Sequence, residues 1–575
     1  MATLSLPPRA GRWYRRRPAR GNVRGRPGPV LVLSGALVAL LCLIPPIYLV
    51  VRAAGAWDNA LDTVLSRATL RVTWNTISLA IAVTACATAI ALPMAWLVER
   101  SDLPGRRALG VLAALPLAVP SYVGAMAFVA AFGPRGLVQG WLEPLGVERL
   151  PSIYGLPGAV LVLTLFTYPY LYLTLRPALA ASDPRVEELS RTFGYGRWTT
   201  FRRVVLPSLR PALASGGLLV ALYVMSDFGA PTLMRFSSFT RVIFTRYTTS
   251  FDRSTAAALA LVLVVLALAV VTLEVWARSS RRLHAVRDAG RPPQLVPLGR
   301  WRWPAFAFVA VVLGLALVLP IGVLLYWLIR GLDAGVAFRG LDELVADSVL
   351  ASSLAAGASV VAALPVALLS VRHRGWFSRL VEVASYTGYA LPGLVVALSL
   401  VFAAVRISWL YQTLPLLVIA YVLLFFPQAT GALRVSLERI RPSMEEAARG
   451  LGRSPWSVFW TITLPLAGRG LLAGGALVFL TTMKELPATL ILSPAGFHTL
   501  ASRTWNASTE ALYREAAAPA LLLVGISAIA LVGLRLGGTT GRTGRAVPAR
   551  AREGGEIPGQ ADVVIPSSVQ SSERE

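Results

Sequence analysis

The chain has 575 residues, 55% of them apolar, with a mean hydropathy of +0.63 and a formal net charge of +26. Many windows longer than 18 residues carry hardly a charge, a pattern that a bilayer demands and a soluble core does not. The arginines flank those windows and do not cover one soluble face, so the charge reads as membrane topology and excludes a nucleic-acid surface.

From the start of the chain, residues 9–26 hold eight arginines and precede an apolar run from Val30 to Val51. That run exceeds a signal-peptide core and reads as an uncleaved first helix. Hydropathy predicts twelve spans, at about 30–51, 75–98, 108–132, 155–179, 212–234, 256–277, 304–329, 349–371, 380–405, 413–433, 470–493 and 516–536. With the N-terminus in the cytoplasm most of the 55 basic residues fall in cytoplasmic loops, which places both termini there. The predicted fold is an all-α integral membrane protein of two parallel, pseudo-repeated six-helix halves.

The predicted organisation is an arginine-rich cytoplasmic tail (1–29), a first half (30–277), a cytoplasmic linker (278–303), a second half (304–536) and a disordered cytoplasmic tail (537–575). Cys42 and Cys86 fall inside predicted spans, and His284, His373 and His498 are scattered. No disulfide framework, metal site or catalytic constellation is expected from them. Lys484 is the only lysine, so the chain lacks the Gly-x-x-x-x-Gly-Lys-Ser/Thr loop that holds nucleotide phosphates. ATP and Mg²⁺, where needed, belong on another subunit, and this chain itself is not expected to be an enzyme or to carry a cofactor.

One pattern occurs twice. Asp183 to Pro207 reads DPRVEELSRTFGYGRWTTFRRVVLP, and Arg441 to Pro465 reads RPSMEEAARGLGRSPWSVFWTITLP. Pro184, Glu188, Arg191, Gly194, Trp198, Phe201, Leu206 and Pro207 recur as Pro442, Glu446, Arg449, Gly452, Trp456, Phe459, Leu464 and Pro465, each 258 residues on. Pro169 and Arg176 match Pro427 and Arg434 at the same offset, whereas Pro93 and Pro120 match Pro365 and Pro392 at 272. The change falls at an external loop near 133–151, where an insertion is tolerated. The chain therefore reads as two fused copies of one unit.

Each copy predicts a cytoplasmic helix–turn–helix (about 182–211 and 437–468). Proline stands at the first helical position, Asp183 is an N-cap in the first copy, and Glu187/Glu188 and Glu445/Glu446 fill the first turns. Glu187 with Arg191 and Glu445 with Arg449 form i,i+4 pairs worth about 0.3 kcal/mol each. Gly194 and Gly452 terminate the first helix, and a second short helix is expected to run towards Leu-Pro. The bland alternative is a pair of amphipathic cytoplasmic hairpins.

Glu-Ala-Ala-x-x-x-Gly followed by Leu-Pro resembles the signature loop of permease subunits of bacterial ABC importers. The second copy matches with Glu446, Ala447, Ala448, Gly452 and Pro465, while Leu189 and Ser190 replace the alanines of the first. The resemblance implies coupling loops in which Glu188, Arg191, Gly194, Pro207 and their second-half counterparts engage ATP-binding subunits. It implies two copies of that subunit, an extracytoplasmic binding protein, a plasma-membrane location and no nucleic acid.

SGGLLVALYVMSDFGAPTLM (Ser215 to Met234) aligns with AGGALVFLTTMKELPATLIL (Ala473 to Leu492), setting Asp227 against Glu485. An acid well inside a span costs about 2.5–3.5 kcal/mol and faces a bundle interior or water. Asp227, Lys484 and Glu485 are thus candidate pathway residues, the alternative being acids that snorkel outward or an Asp227–Lys484 pair. The wording of these segments resembles fused ferric-iron permeases, with those for thiamine, polyamines, sulfate or phosphonates sharing the general pattern. Two acids and Tyr223 do not by themselves select an ion. An external loop from Arg235 to Arg253, with four arginines, suits either an acidic binding protein or a plain interfacial helix. A rival reading, a secondary transporter driven by an ion gradient, would not need the repeated cytoplasmic loops.

Overall fold

The computed structural model describes residues 27–54, 62–182, 184–249, 253–279, 295–336, 340–373 and 375–539. The tail before residue 27, Asp183, most of the linker (280–294) and the tail beyond Thr539 lie outside the described residues. Among the described residues the regular structure is helical, with one isolated bridge between Ser101 and Val296. Lipid offers the backbone no hydrogen-bond partner, so only elements that satisfy themselves internally cross it, and apolar runs fold as helices.

Eleven described helices are long and apolar enough to span a membrane. The ninth predicted span differs, being cut into Trp376–Ala390 and Gly393–Ala404. Leu391, which precedes Pro392, is extended at ψ 134°. The third predicted span has the matching cut, with Val119 extended before Pro120 and a helix restarting at Ser121–Phe132. A residue before proline is pushed out of the helical region, and proline itself has no N–H to donate. The prolines paired at the 272 offset thus break their spans at equivalent places.

A second proline effect recurs three times. Phe201–Val205, Gly314–Val318 and Phe459–Thr463 are single π-turns, each two residues ahead of a proline: Pro207, Pro320 and Pro465. Leu206, Leu319 and Leu464 donate to the carbonyl five residues back, which widens the turn where the proline ring would crowd the chain. One consequence corrects the sequence reading. The second helix of each hairpin does not stop at Leu-Pro but runs through the π-turn into the next span, giving continuous helices Arg197–Ser226 and Pro455–Met483.

Within each half three long helices make the central packing: Arg67–Arg100, Leu156–Ala180 and Leu206–Ser226, and their counterparts Leu341–Arg372, Leu414–Arg439 and Leu464–Met483. Glycine sets the closest approach. A Cβ on Gly216 would lie 2.4 Å from the Leu171 side chain, and one on Gly474 would lie 2.9 Å from the Ala429 Cα. The first span of each half crosses over. Pro29–Ala54 packs on Leu341–Arg372, Trp376–Ala390 and Gly393–Ala404, with the Tyr48 hydroxyl donating to the Phe402 carbonyl at 3.0 Å. Leu319–Asp333 packs on Ser121–Phe132 of the first half. The chain to Val532 forms one compact unit, and the last helix runs from Tyr513 to Thr539.

Candidate functional site

The two cytoplasmic hairpins begin with helices Pro184–Thr192 and Pro442–Gly450. Each ends in a left-handed residue, Gly194 at φ +79° and Gly452 at φ +82°, where a side chain would be strained. Gly194 N–H donates to Arg191 O at 2.9 Å and Tyr195 N–H to Ser190 O at 3.3 Å. Gly452 and Arg453 repeat that pair on Arg449 O and Ala448 O. This pair of hydrogen bonds satisfies two of the last carbonyls of the helix and fixes the reversal of direction. Trp198 stacks on Phe201 and Trp456 on Phe459 at ring separations of 5.8 and 6.0 Å.

The glutamates of the first turn do not pair along their own helix. Glu187 pairs with Arg100 at 3.1 Å and Glu445 with Arg372 at 2.9 Å. Among the described residues neither expected i,i+4 pair forms. Arg100 and Arg372 close the Arg67–Arg100 and Leu341–Arg372 helices and are both buried. Arg100 also donates to the Leu179 carbonyl at 3.1 Å and to the Ser182 hydroxyl, at the end of Leu156–Ala180. Arg372 donates to the Ile440 carbonyl at 3.3 Å, just past Leu414–Arg439. Sequence reasoning missed both arginines, although their 272 spacing is visible in the chain.

The hairpins turn their remaining side chains outward. Glu188, Arg191, Gly194, Glu446, Ala447, Arg449, Gly452 and Pro465 are exposed, and Pro207 is half-buried. Ala448 is buried against the hairpin, as is its counterpart Ser190. Exposed apolar residues accompany the charges at matching positions: Val186 and Met444, Phe193 and Leu451, Trp198 and Trp456. Exposed apolar side chains grouped on one face are the pattern of a protein-binding or membrane-contacting surface. A cavity beside the first hairpin is lined by Trp96, Arg100, Glu187, Glu188, Arg191, Val205 and Val296, and the Val296 N–H donates to the Arg100 carbonyl at 2.8 Å.

A second cluster lies where helix breaks from both halves meet. The Leu206–Ser226 helix ends at Asp227, which is extended, and a short helix restarts at Gly229–Leu233. The Asp227 carboxylate accepts from the Ala230 N–H at 3.1 Å and from the Ser121 hydroxyl. Glu485 accepts from the Ala488 N–H at 3.1 Å, capping Pro487–Leu492 in the same way. Where Ser121 meets Asp227, Gly393 meets Glu485, and a Cβ there would stand 2.8 Å from the Glu485 Oε1. The longer acid faces the residue without a side chain.

Asp227 and Glu485 lie within electrostatic reach of each other, and Tyr122 and Tyr223 within reach of Glu485. Lys484 does not pair with Asp227. Its ammonium donates to the Leu117 carbonyl at 2.7 Å, tying the second half to the broken third span of the first. In the external loop Phe239–Thr248 is a helix with Phe239 and Ile243 buried, and Arg235 lies over the Tyr154 ring at 4.6 Å. Among the described residues no His, Cys, Asp and Glu cluster has the geometry of a metal site.

The family described as "Binding-protein-dependent transport system inner membrane component" matches residues 87–283 and 358–536. The Fe(3+)-transport system permease protein FbpB 2 of Haemophilus influenzae is 32% identical over 88% of this chain and 97% of its own length. A probable ABC transporter permease protein y4fN of Sinorhizobium fredii is 25% identical over 80% of the chain and 86% of its own. The sulfate transport system permease protein CysW of Escherichia coli is 31% identical over 36% of the chain and 70% of its own.

Proposed function

Because the chain belongs to the inner membrane components of binding-protein-dependent transport systems, we propose that it passes ferric iron inward from an extracytoplasmic binding protein, driven by two ATP-binding subunits docked at its hairpins. Membership makes it the fused two-half permease of an ABC importer, a multi-pass protein of the inner membrane, and sets aside a carrier driven by an ion gradient.

The iron reading rests on the extent of likeness. The Fe(3+) permease matches this chain through both halves, whereas the sulfate permease CysW covers 36% of it. Docking is supported by the outward set of Glu188, Arg191 and Gly194, with Pro207 half-buried beside them, and of Glu446, Ala447, Gly452 and Pro465, carried on hairpins whose apolar residues also face out. ATP and Mg²⁺ then reside on the partner, and both termini are cytoplasmic. Closure of the ATP-binding pair rocks the halves about the cluster of Asp227, Lys484 and Glu485, which lines the path. Carboxylates and phenols there suit a hard cation better than an oxyanion.

Uptake of radiolabelled ferric iron by iron-limited cells, with and without this chain, tests the reading against parallel uptake of sulfate, molybdate and thiamine. Iron uptake is expected to fall with the chain while the others persist. Loss of one of the others with iron uptake intact would transfer the importer to that substrate.

A further inference from the structure

We propose that Arg100 and Arg372 are positioning residues of the transport cycle, each a rigid strut that passes movement of a hairpin into the membrane helices. The proposal rests on the permease reading above. Neither arginine belongs to the outward surface, since they are 4% and 6% exposed. Each guanidinium instead joins three elements at one point: the end of its own span, the end of the span two further on, and the first turn of the hairpin helix.

The chemistry favours rigidity. A buried charge is held only where it is paired and hydrogen-bonded, so the guanidinium cannot swing free without a large penalty. Each guanidinium makes these contacts through Nη2, which meets a carboxylate and a backbone carbonyl together. Without the strut, nothing at the guanidinium would tie a push on the hairpin helix to the ends of the membrane helices. With it, the push reaches Arg67–Arg100 and Leu156–Ala180, or Leu341–Arg372 and Leu414–Arg439, which pack on the helices that end at Asp227 and Lys484.

The recurrence adds a second argument. The glutamates are 258 residues apart and the arginines 272, so each strut bridges segments on opposite sides of the length difference between the halves. The same three-way junction has formed twice despite that difference.

The test uses the whole complex in proteoliposomes: this chain, its ATP-binding subunits and the iron-loaded binding protein. ATP hydrolysis and ferric-iron import are measured in the same vesicles for the wild type, Arg372→Gln, Arg372→Lys, Glu445→Gln and the double variant Arg372→Gln/Glu445→Gln. Arg372→Gln is expected to hydrolyse ATP at close to the wild-type rate while importing about tenfold less iron per ATP. Arg372→Lys should recover part of the loss, and the double variant should be no worse than either single change, because the two groups act as one unit. A wild-type import-to-hydrolysis ratio in Arg372→Gln, or a parallel fall of assembly, hydrolysis and import in every variant, overturns the proposal. Where Arg372→Gln does not assemble, Thr463→Val decides, because it removes one hydrogen bond from Glu445 and should lower the ratio about twofold. An unchanged ratio there also overturns it. Failure of the underlying reading looks different: the wild type itself would neither hold ATP-binding subunits nor import, and the struts would fall with it.

Discussion

In the second hairpin Glu445 is fully enclosed and accepts from both Arg372 and Thr463, at 2.9 and 3.1 Å. In the first, Glu187 keeps 19% of its side chain in solvent, meets Arg100, and finds Val205 where the other copy has Thr463. A little further along, Ser190 shares a 3.0 Å hydrogen bond with Thr200, while the matching residues of the second copy, Ala448 and Val458, are both apolar and buried. The same backbone path is therefore held by a polar pair in one copy and an apolar pair in the other. What the repeat preserves is the volume at each point and the charge at the strut, while the remaining chemistry has drifted in compensated pairs. The helix breaks follow the rule as well, with Ser121 and Asp227 on one side and Gly393 and Glu485 on the other.

The largest effect expected from breaking this comparison is at Glu445. Glu445→Ala strands a buried arginine and should destabilise the detergent-solubilised chain by about 3–5 kcal/mol in thermal unfolding. Glu187→Ala, at the more solvated strut, should cost roughly 1–2 kcal/mol; equal losses would erase the distinction between the copies. Next comes the pair at the helix break of the second half. Gly393→Ser drives a side chain onto the Glu485 carboxylate and should cost about 1–3 kcal/mol, most of it recovered by adding Glu485→Asp, which recreates the first-half arrangement. Ser190→Ala leaves the Thr200 hydroxyl buried and unpaired, for a loss of about 1 kcal/mol, while Ser190→Ala with Thr200→Val copies the second hairpin and should be near neutral. The smallest expected effect is a gain. Val205→Thr offers Glu187 the hydroxyl that Glu445 already has, and should raise stability by about 0.5 kcal/mol in the same assay.

Much of this architecture is legible in the amino-acid sequence. Apolar runs and flanking arginines mark the spans, and the spacing from Glu188 to Pro207, repeated from Glu446 to Pro465, marks the hairpins and their glycine ends. Short-range rules of helix start and stop suffice for those features. The struts are hidden because their partners lie 87 and 73 residues apart, and because arginines and glutamates follow different repeat offsets. Hydropathy likewise cannot distinguish a kink from a break, so the cuts at Pro120 and Pro392 read as uninterrupted spans. Nor can Glu187 reveal its partner. An i,i+4 arginine is always available on paper, whereas a buried one across the fold is stronger in fact.

The exchanged first helices impose a schedule on synthesis. Pro29–Ala54 leaves the ribosome well before much of what covers it, which lies in Leu341–Arg372, Trp376–Ala390 and Gly393–Ala404. At about 5–20 residues per second that gap corresponds to roughly 15–60 s. Through that interval the helix waits in lipid with part of its packing face open. A sequence of Val, Leu, Ala and Ile with no charge before Arg52 suits the waiting period as well as the finished bundle.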